Sequence, residues 1–521
     1  MSRILVTEEV ATAGLDRLRA AGHTVDVRLG LSAAQLLDAV AGASALIIRS
    51  ATQVDRSVLA AGRDLVVVGR AGIGLDNVDV DAATERGVMV VNAPQSNIVS
   101  AAEHTMALLL AQARNVPQAH AALVAGRWER GRWEGIELAD KTLGIIGLGR
   151  IGKLVADRAR AFGMRLVAYD PFVSADKARQ GGVELMPLDQ VVAEADFLTI
   201  HAVKTPETVG MIDHDVLLKA KPTLRVVNVG RGGIIDELAL AEAIRDGVVA
   251  GAALDVFAAE PTIDSPLFGL DSVVVTPHLG ASTREAQDKA GGTIADMVQL
   301  ALAGEFVPFA VNLAVAEAHE SLRPFLPLAE RLGGLFGSLV GELPGSIEVC
   351  VEGDIGGHDT RIVGLSVLKG LFGGVSDDPV TYVNAPQRAR DSGLELREVS
   401  STTPSDYVNL VTVRGGGHEL AGMLAGRRGE QRIVLVDGHI VDVPPAGHMV
   451  MVTNDDRPGV IGTVGTLLGA AGVNIANMDV GRSREPGRAV MLIAPTTEVP
   501  AHVLDELRAA PGIVNVNVLT S

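Results

Sequence analysis

The chain has 521 residues, of which 47% are hydrophobic and 21% charged, a balance that excludes extensive disorder. At roughly 150 residues per domain, this length predicts three or four domains. The net charge is −18 and only 3% of residues are aromatic, so a sequence-independent nucleic-acid binder is excluded and any anionic ligand needs a local arginine cluster.

In chain order, residues 3–6 (RILV), 45–48 (ALII) and 65–68 (LVVV) read as buried strands, with helical stretches near 10–21 and 33–42. This alternation predicts a parallel sheet with helices on both faces. Residues 97–115 read as one long helix that crosses to a second α/β lobe. That lobe opens with the strand Thr142–Ile146, followed by a helix whose face carries Ile151, Leu154, Val155, Ala159 and Phe162. Gly163 ends the helix, and Leu166–Tyr169 is the next strand. Strands follow at 197–202, 225–230, 251–257 and 273–276, and a helix at 283–303 closes this part.

The character changes near residue 314. A helix over 321–341 precedes strands at 346–353 and 407–413, and Asp437-Gly438 between two alternating runs predicts a hairpin over 432–443. The last segment reads strand (448–453), helix (458–471), strand (473–480), strand (488–494), helix (500–509), strand (513–518), the order of a ferredoxin-like module. The single cysteine, Cys350, leaves no disulfide framework or multi-cysteine metal site and reads as a buried, inert thiol. The opening MSRILVTEEV has no signal-peptide pattern, and no apolar run approaches the roughly 18 residues of a membrane span, so a cytoplasmic protein is expected.

Gly147-Leu148-Gly149-Arg150-Ile151-Gly152 follows a strand and opens a helix, and the next strand ends at Asp170. Glycines there let backbone approach a pyrophosphate, and the helix N-terminus stabilises its charge. Asp170 can bond ribose hydroxyls and repels a 2′-phosphate, so NAD is expected rather than NADP. Three polar groups then stand where strands end: Arg231 after RVVNVG, Glu260 after GAALDVFAA and His278 after VVVTP. Ligands of open α/β sheets bind at such carboxyl edges. An Arg fork suits a carboxylate, a His exchanges a proton with a hydroxyl, and a Glu beside it fixes the ring and favours its protonated form. Arg49 and Arg70 also follow strands, and with Asn97 they suit a phosphate or second carboxylate.

With the glycine fingerprint, the strings VVNVGRG (226–232), DVF…EP (255–261) and TPHLGA (276–281) resemble the D-isomer-specific 2-hydroxyacid dehydrogenase family. The resemblance implies that Arg231 binds the substrate carboxylate, His278 accepts its proton and Glu260 pairs with His278. It implies cofactor contacts from Gly147, Gly149, Arg150, Ile151, Gly152, Asp170, Val229, Gly230, Arg231, Asp255, His278, Gly280 and Ala281. It adds Arg130, reaching from a neighbouring subunit, to Arg49, Arg70 and Asn97 as substrate contacts. The tail resembles an ACT domain, with Asp456 and Asn474 at amino-acid-binding positions and Asn454 a weaker match.

Across almost the whole chain the likeness is to the family branch that oxidises 3-phospho-D-glycerate at the start of serine synthesis. It implies L-serine as effector, a homo-oligomer (a tetramer), and no nucleic acid, membrane or metal. The expected fold is α/β, with two doubly wound parallel-sheet lobes. A flavodoxin-like substrate-binding lobe takes 1–96 and 285–313, and a Rossmann-like NAD-binding lobe takes 97–284. An α+β intervening domain (314–445) and a ferredoxin-like ACT domain (446–521) follow. A glyoxylate or hydroxypyruvate reductase, a non-catalytic NAD-sensing corepressor and a serine-binding regulator remain as alternatives, and 2-oxoglutarate as a side substrate.

Overall fold

The computed structural model describes residues 1–313, 319–374, 380–404, 406–482 and 487–520. The first sheet contains β1 (Arg3–Val6), β2 (Thr24–Val27), β3 (Ala45–Ile48), β4 (Val67–Arg70) and β5 (Met89–Val91). All its ladders are parallel, in the order β2-β1-β3-β4-β5. This is the flavodoxin-like order, whose crevice opens at the β1/β3 switch point. The third predicted strand lies two residues further on, at 67–70 rather than 65–68. Gly69 and Arg70 interrupt the apolar run yet still pair with Ile47 and Ile48.

The second sheet contains β6 (Thr142–Ile146), β7 (Arg165–Tyr169), β8 (Glu184–Leu185), β9 (Phe197–Ile200), β10 (Arg225–Asn228), β11 (Gly251–Leu254) and β12 (Val273–Val275). Its order, β12-β11-β10-β9-β6-β7-β8, is the doubly wound nucleotide-binding order extended by one strand. Strands β9 to β12 stop before the predicted ends, which frees His201, Val229, Asp255 and Thr276 for the loops at the carboxyl edge. Helix Arg150–Ala161 buries Gly152, Val155, Ala156 and Ala159, but Phe162 falls at its C-cap and is exposed, so it leaves the predicted face. Gly163 takes the left-handed turn, with φ 76°.

Two helices pass between the lobes. Helix Ile98–Arg114 packs against β10, β11 and β12. Helix Arg284–Leu302 returns to the first lobe and packs on helix Thr12–Ala20 and β4. Ser100 and Thr283, near the starts of the two crossings, share a 2.7 Å hydroxyl hydrogen bond.

The third sheet is mixed: β13 (Ser346–Gly353), β14 (Glu395–Ser401), β15 (Asn409–Gly415), β16 (His418–Ala425), β17 (Glu430–Val436) and β18 (His439–Val443), in the order β14-β13-β15-β16-β17-β18. The Asp437-Gly438 hairpin forms as expected, with both residues at positive φ. Helices Leu326–Val340 and Arg361–Gly373 cross in backbone contact, because a Cβ on Gly333 or Gly370 would strike a carbonyl of the other helix.

The last sheet is antiparallel: β19 (His448–Asp455), β20 (Ile475–Arg482), β21 (Arg488–Pro495) and β22 (Ile513–Thr520), in the ferredoxin-like order β20-β21-β19-β22. One apolar core runs from Ile4 and Val67 through Ile294, Phe336 and Val411 to Met451 and Leu519, so the first lobe and the two C-terminal units share packing. Cys350 is buried and unpaired. Among the described residues, no helix is long and apolar enough to cross a membrane.

Candidate active site

The glycine turn joins β6 to helix Arg150–Ala161, and each glycine does something different. Gly147 has φ 90° and donates its N–H to Tyr169 O at 2.9 Å, which carries the β6–β7 ladder one residue beyond the strand before the chain turns. A Cβ on Gly152 would run into the Gly147 carbonyl, so only glycine lets the helix sit this close to the strand. Above Gly149, by contrast, a Cβ meets nothing within 4 Å. That open side lies over a helix start with no side-chain cap, where free N–H groups suit a pyrophosphate. Arg150 and Ile151 belong to this first turn. The Asp170 carboxylate accepts from Leu148 N at 2.7 Å and Phe172 N at 2.9 Å, which fixes it at the end of β7 with lone pairs left for a ribose. These features fit a dinucleotide without a 2′-phosphate.

The loop after β12 is held by Asp255, the residue that follows β11. Its carboxylate is 0% exposed. Oδ1 accepts from the Thr276 hydroxyl (2.6 Å) and Leu279 N (2.7 Å), and Oδ2 accepts from Gly280 N (2.8 Å). Asp255 O also takes the N–H of His278 at 2.9 Å. Burial raises the Asp255 pKa, but the donors around it, His104 and Thr276 foremost, outweigh burial and hold it below the ordinary value. Four bonds thus tie residues 276–280 to one aspartate. They hold His278 at φ 55°, a left-handed conformation unusual for a non-glycine residue and one that neighbouring structure must sustain. Gly280 abuts Val229, and Ala281 follows, half-buried.

Half of the His278 side chain is exposed (47%), and its Nδ1 donates to Glu260 Oε2 at 2.5 Å. Glu260 Oε1 accepts from Phe257 N at 2.8 Å. Burial raises the Glu260 pKa, yet the His278 and Phe257 hydrogen bonds prevail and keep it below the usual 4.5. The imidazole therefore has one nitrogen clamped by a carboxylate on a half-exposed side chain, the arrangement of a general base with its orienter.

Arg231 sits in the turn after β10. Asn228 Nδ2 donates to Arg231 O at 3.0 Å and Asn228 Oδ1 accepts from Gly230 N at 3.0 Å. A Cβ on Gly232 would strike the Phe257 carbonyl, so the Arg231 and Glu260 loops touch. Across the crevice, a Cβ on Gly74 would come within 2.9 Å of Arg231 Nη2 and 3.0 Å of Asp76 Oδ2. Arg70, at the end of β4, is affected by both lobes. Burial depresses its pKa most, the positive charge of Arg231 adds to that, and Asp76 and Glu8 oppose it. Among the described residues its Nε is buried without a partner, as is Oδ1 of Asn97, the residue that precedes helix Ile98–Arg114. Two neighbouring cations, one of them with a buried donor that has no partner among the described residues, have the chemistry of an anion site.

Arg49 follows β3 and also acts on Arg70. Its loop is clamped: Glu8 accepts from the N–H groups of Arg49 (2.8 Å), Thr52 (2.9 Å) and Ala51 (3.1 Å), and Asn77 Nδ2 donates to Arg49 O (2.9 Å) and Thr52 O (2.6 Å). Sequence reasoning missed Glu8 and Asn77. It also missed Gly72, where a Cβ would overlap the Arg70 guanidinium. No local pattern marks a half-buried carboxylate that serves backbone; only the three converging N–H groups reveal it. Arg130 lies exposed on the turn Arg130–Trp133.

The remaining candidates lie in the last unit. Asp456 precedes helix Val460–Ala470 and Asn474 follows it, both exposed. Asn454 is buried, with Nδ2 on Asp455 O at 2.7 Å and Oδ1 without a partner among the described residues. Gly459 opens the helix at φ 97° with no side-chain cap, so free N–H groups face the Asp456 end, whereas Asn474 lies at the opposite end of the sheet.

Residues 106–280 match the family described as D-isomer specific 2-hydroxyacid dehydrogenase, NAD binding domain. Residues 321–437 match the D-3-phosphoglycerate dehydrogenase intervening domain, and 448–512 the ACT domain. The chain is 48% identical over 514 residues to D-3-phosphoglycerate dehydrogenase of Mycobacterium leprae, covering 97% of each chain. It is 42% identical to the protein of that name from Archaeoglobus fulgidus, covering 98% of this chain and 99% of the other. Among solved structures, the TT0316 protein of Thermus thermophilus superposes with a TM-score of 0.56 at 35% identity, covering 59% of this chain and 99% of its own.

Proposed function

The chain belongs to the D-isomer-specific 2-hydroxyacid dehydrogenase family, and from that premise we propose that it oxidises 3-phospho-D-glycerate at C2 to 3-phosphohydroxypyruvate, with NAD, in serine synthesis. The observation that carries this reading is the cation cluster. Arg231 from one lobe and Arg70 from the other sit near enough to repel, with Arg49 beside them. A substrate with a carboxylate at one end and a phosphate at the other supplies the two anions this cluster lacks.

NAD, when bound, takes the C2 hydride; Gly149, the first turn of helix Arg150–Ala161 and Asp170 would hold it. Arg231 binds the substrate carboxylate, and Arg70 and Arg49 take the phosphate, with Asn97 near that end. His278 accepts the C2 hydroxyl proton at Nε2. The imidazolium so formed keeps its Nδ1 proton on the Glu260 carboxylate, which favours it electrostatically. Following NADH absorbance with phosphohydroxypyruvate, hydroxypyruvate and 2-oxoglutarate side by side tests the reading. It requires phosphohydroxypyruvate to have by far the highest kcat/KM, and equal turnover of hydroxypyruvate would replace it with a non-phosphorylated hydroxyacid reductase.

In this reading the tail binds L-serine between paired copies of the ACT-like unit: Asp456, at the open helix start of one copy, takes the ammonium, and Asn474, at the far end of that helix, reaches the ligand from the paired copy to bond its carboxylate or hydroxyl. Inhibition at that distance requires serine to prefer one of two states of the enzyme. The protein works as a cytoplasmic homo-oligomer, a tetramer. Helix Val116–Val124 and the turn after it support pairing, because Val116, Leu123, Val124 and Trp128 are largely exposed beside Arg130. Titrating L-serine against the wild type and Asp456→Ala tests the effector site. An enzyme insensitive to millimolar serine, with no heat of binding, leaves the tail as an assembly unit.

A further inference from the structure

His104 stands on helix Ile98–Arg114, part-buried, behind the catalytic loop. Its Nε2 lies 3.1 Å from Thr276 Oγ1 and 3.2 Å from Asp255 Oδ1. The protons can be assigned by elimination. Asp255 sits below the ordinary carboxyl pKa and has no proton to offer. The Thr276 hydroxyl has one proton, committed to Asp255 Oδ1 at 2.6 Å. Thr276 Oγ1 can therefore only accept from His104, so Nε2 must carry hydrogen and serve as donor. The chain runs His104 Nε2–H to Thr276 Oγ1–H to Asp255, and Asp255 in turn holds the N–H groups of His278, Leu279 and Gly280.

We propose that His104 is a positioning residue for the dehydrogenase reaction: its Nε2 donor sets Thr276 and Asp255, and through them the left-handed backbone that aims His278. The proposal rests on the reading of His278 as the proton acceptor. The helix that carries His104 starts next to Asn97, seven residues earlier, at roughly 1.5 Å per residue. One rigid element thus runs from Asn97 to the catalytic loop. Ser100, between them, bonds Thr283 at the second crossing at 2.7 Å. The aim of His278 is therefore tied to the segments that join the two lobes.

The test compares His104→Leu, which removes the donor, with His104→Gln, whose amide N–H can replace it, and His104→Asn, whose N–H falls short. Steady-state kinetics, the isotope effect with C2-deuterated 3-phosphoglycerate and NADH binding by fluorescence are measured on the full-length protein. Misaligned reacting groups cost up to about 10²-fold. His104→Leu should therefore lose at least about tenfold in kcat and show a larger isotope effect, with KM and NADH affinity within about threefold of wild type. His104→Gln should recover most of kcat and His104→Asn should not. A kcat for His104→Leu within twofold of wild type overturns the proposal, as does a Gln variant no better than Asn. Should the Leu variant fail to fold, the Gln/Asn comparison decides by the same criterion. Absence of turnover by the wild type would instead refute the functional reading itself.

Discussion

Replacing Glu260 with Gln isolates the orienter of His278 with almost no change in volume. In the native site Oε1 accepts from Phe257 N at 2.8 Å and Oε2 accepts from His278 Nδ1 at 2.5 Å. Glutamine has one oxygen. If that oxygen stays on Phe257 N, the amide N–H faces Nδ1 and forces it to accept, so the neutral imidazole carries its proton on Nε2 and cannot take another from substrate. If the amide flips, the imidazole is correct but Phe257 N loses its acceptor, at about 1–3 kcal/mol for a buried unmade bond. At about 1.4 kcal/mol per tenfold, the productive arrangement falls by roughly 5- to 150-fold. The His278 ring is half exposed, and water can relieve part of this, so a loss in kcat of about tenfold to 50-fold is expected with substrate KM nearly unchanged. Stopped-flow or initial-rate NADH assays at saturating NAD and 3-phosphoglycerate measure it. A Glu260→Gln enzyme within twofold of wild type would refute the assignment of Glu260 as orienter, and a matching rise in KM would make it a binding residue instead.

Arg70→Ala removes a cation whose pKa is lowered by burial and by Arg231, so kcat/KM for phosphohydroxypyruvate should fall at least about tenfold more than for hydroxypyruvate; equal losses contradict a phosphate role. Gly149→Ala should fold with near-native Tm but bind NAD poorly, because its Cβ enters only the open side of the turn, whereas Gly152→Ala should also lower Tm, since its Cβ strikes Gly147 O. Thermal melts with NADH titration separate the two, and a Gly149→Ala variant with native NADH affinity would move the pyrophosphate elsewhere. Glu8→Gln should destabilise the first lobe by roughly 1–3 kcal/mol at pH 7, by loss of an ionised acceptor for three N–H groups. Burial raises the Glu8 pKa, but bonds from Thr52, Ala51 and Arg49 hold it below 4.5. The wild-type advantage should therefore be complete above about pH 4.5 and fade as pH falls through the lower folded value. A Tm difference constant from pH 7 to pH 3 would show that ionisation is not the cause.

How legible the protein was depends on whether a feature is local. The strand–Gly turn–helix of 142–161, the Asp437-Gly438 hairpin and the ferredoxin-like tail were readable because each is encoded by contiguous residues with a fixed period or a turn chemistry. Helix Arg361–Gly373 escaped because it is buried nearly all round, from Ile362 through Phe372, and so carries no polar face to set a 3.6-residue period. Phe162 was misplaced because the periodicity runs one residue past the point where the helix stops. Edge strand β2 (Thr24–Val27) escaped because TVDV is half-exposed and lacks an apolar run.

The amino-acid sequence by itself determined the doubly wound lobes, the dinucleotide turn with Asp170 and the candidate residues Arg231, Glu260 and His278, since each is written in a short string with its own steric or electrostatic reason. Only the tertiary structure decided which distant side chains meet. In sequence, Asp255 reads through the family resemblance as a cofactor contact, and Glu8 carries no local signal. In the fold, Asp255 is a fully buried hub that anchors residues 276–280, and Glu8 is the acceptor that clamps the Arg49 loop. The physical reason is that one strand end supplies only one donor or acceptor, and a carboxylate finds its partners only when packing brings separate loops to the same edge of the sheet.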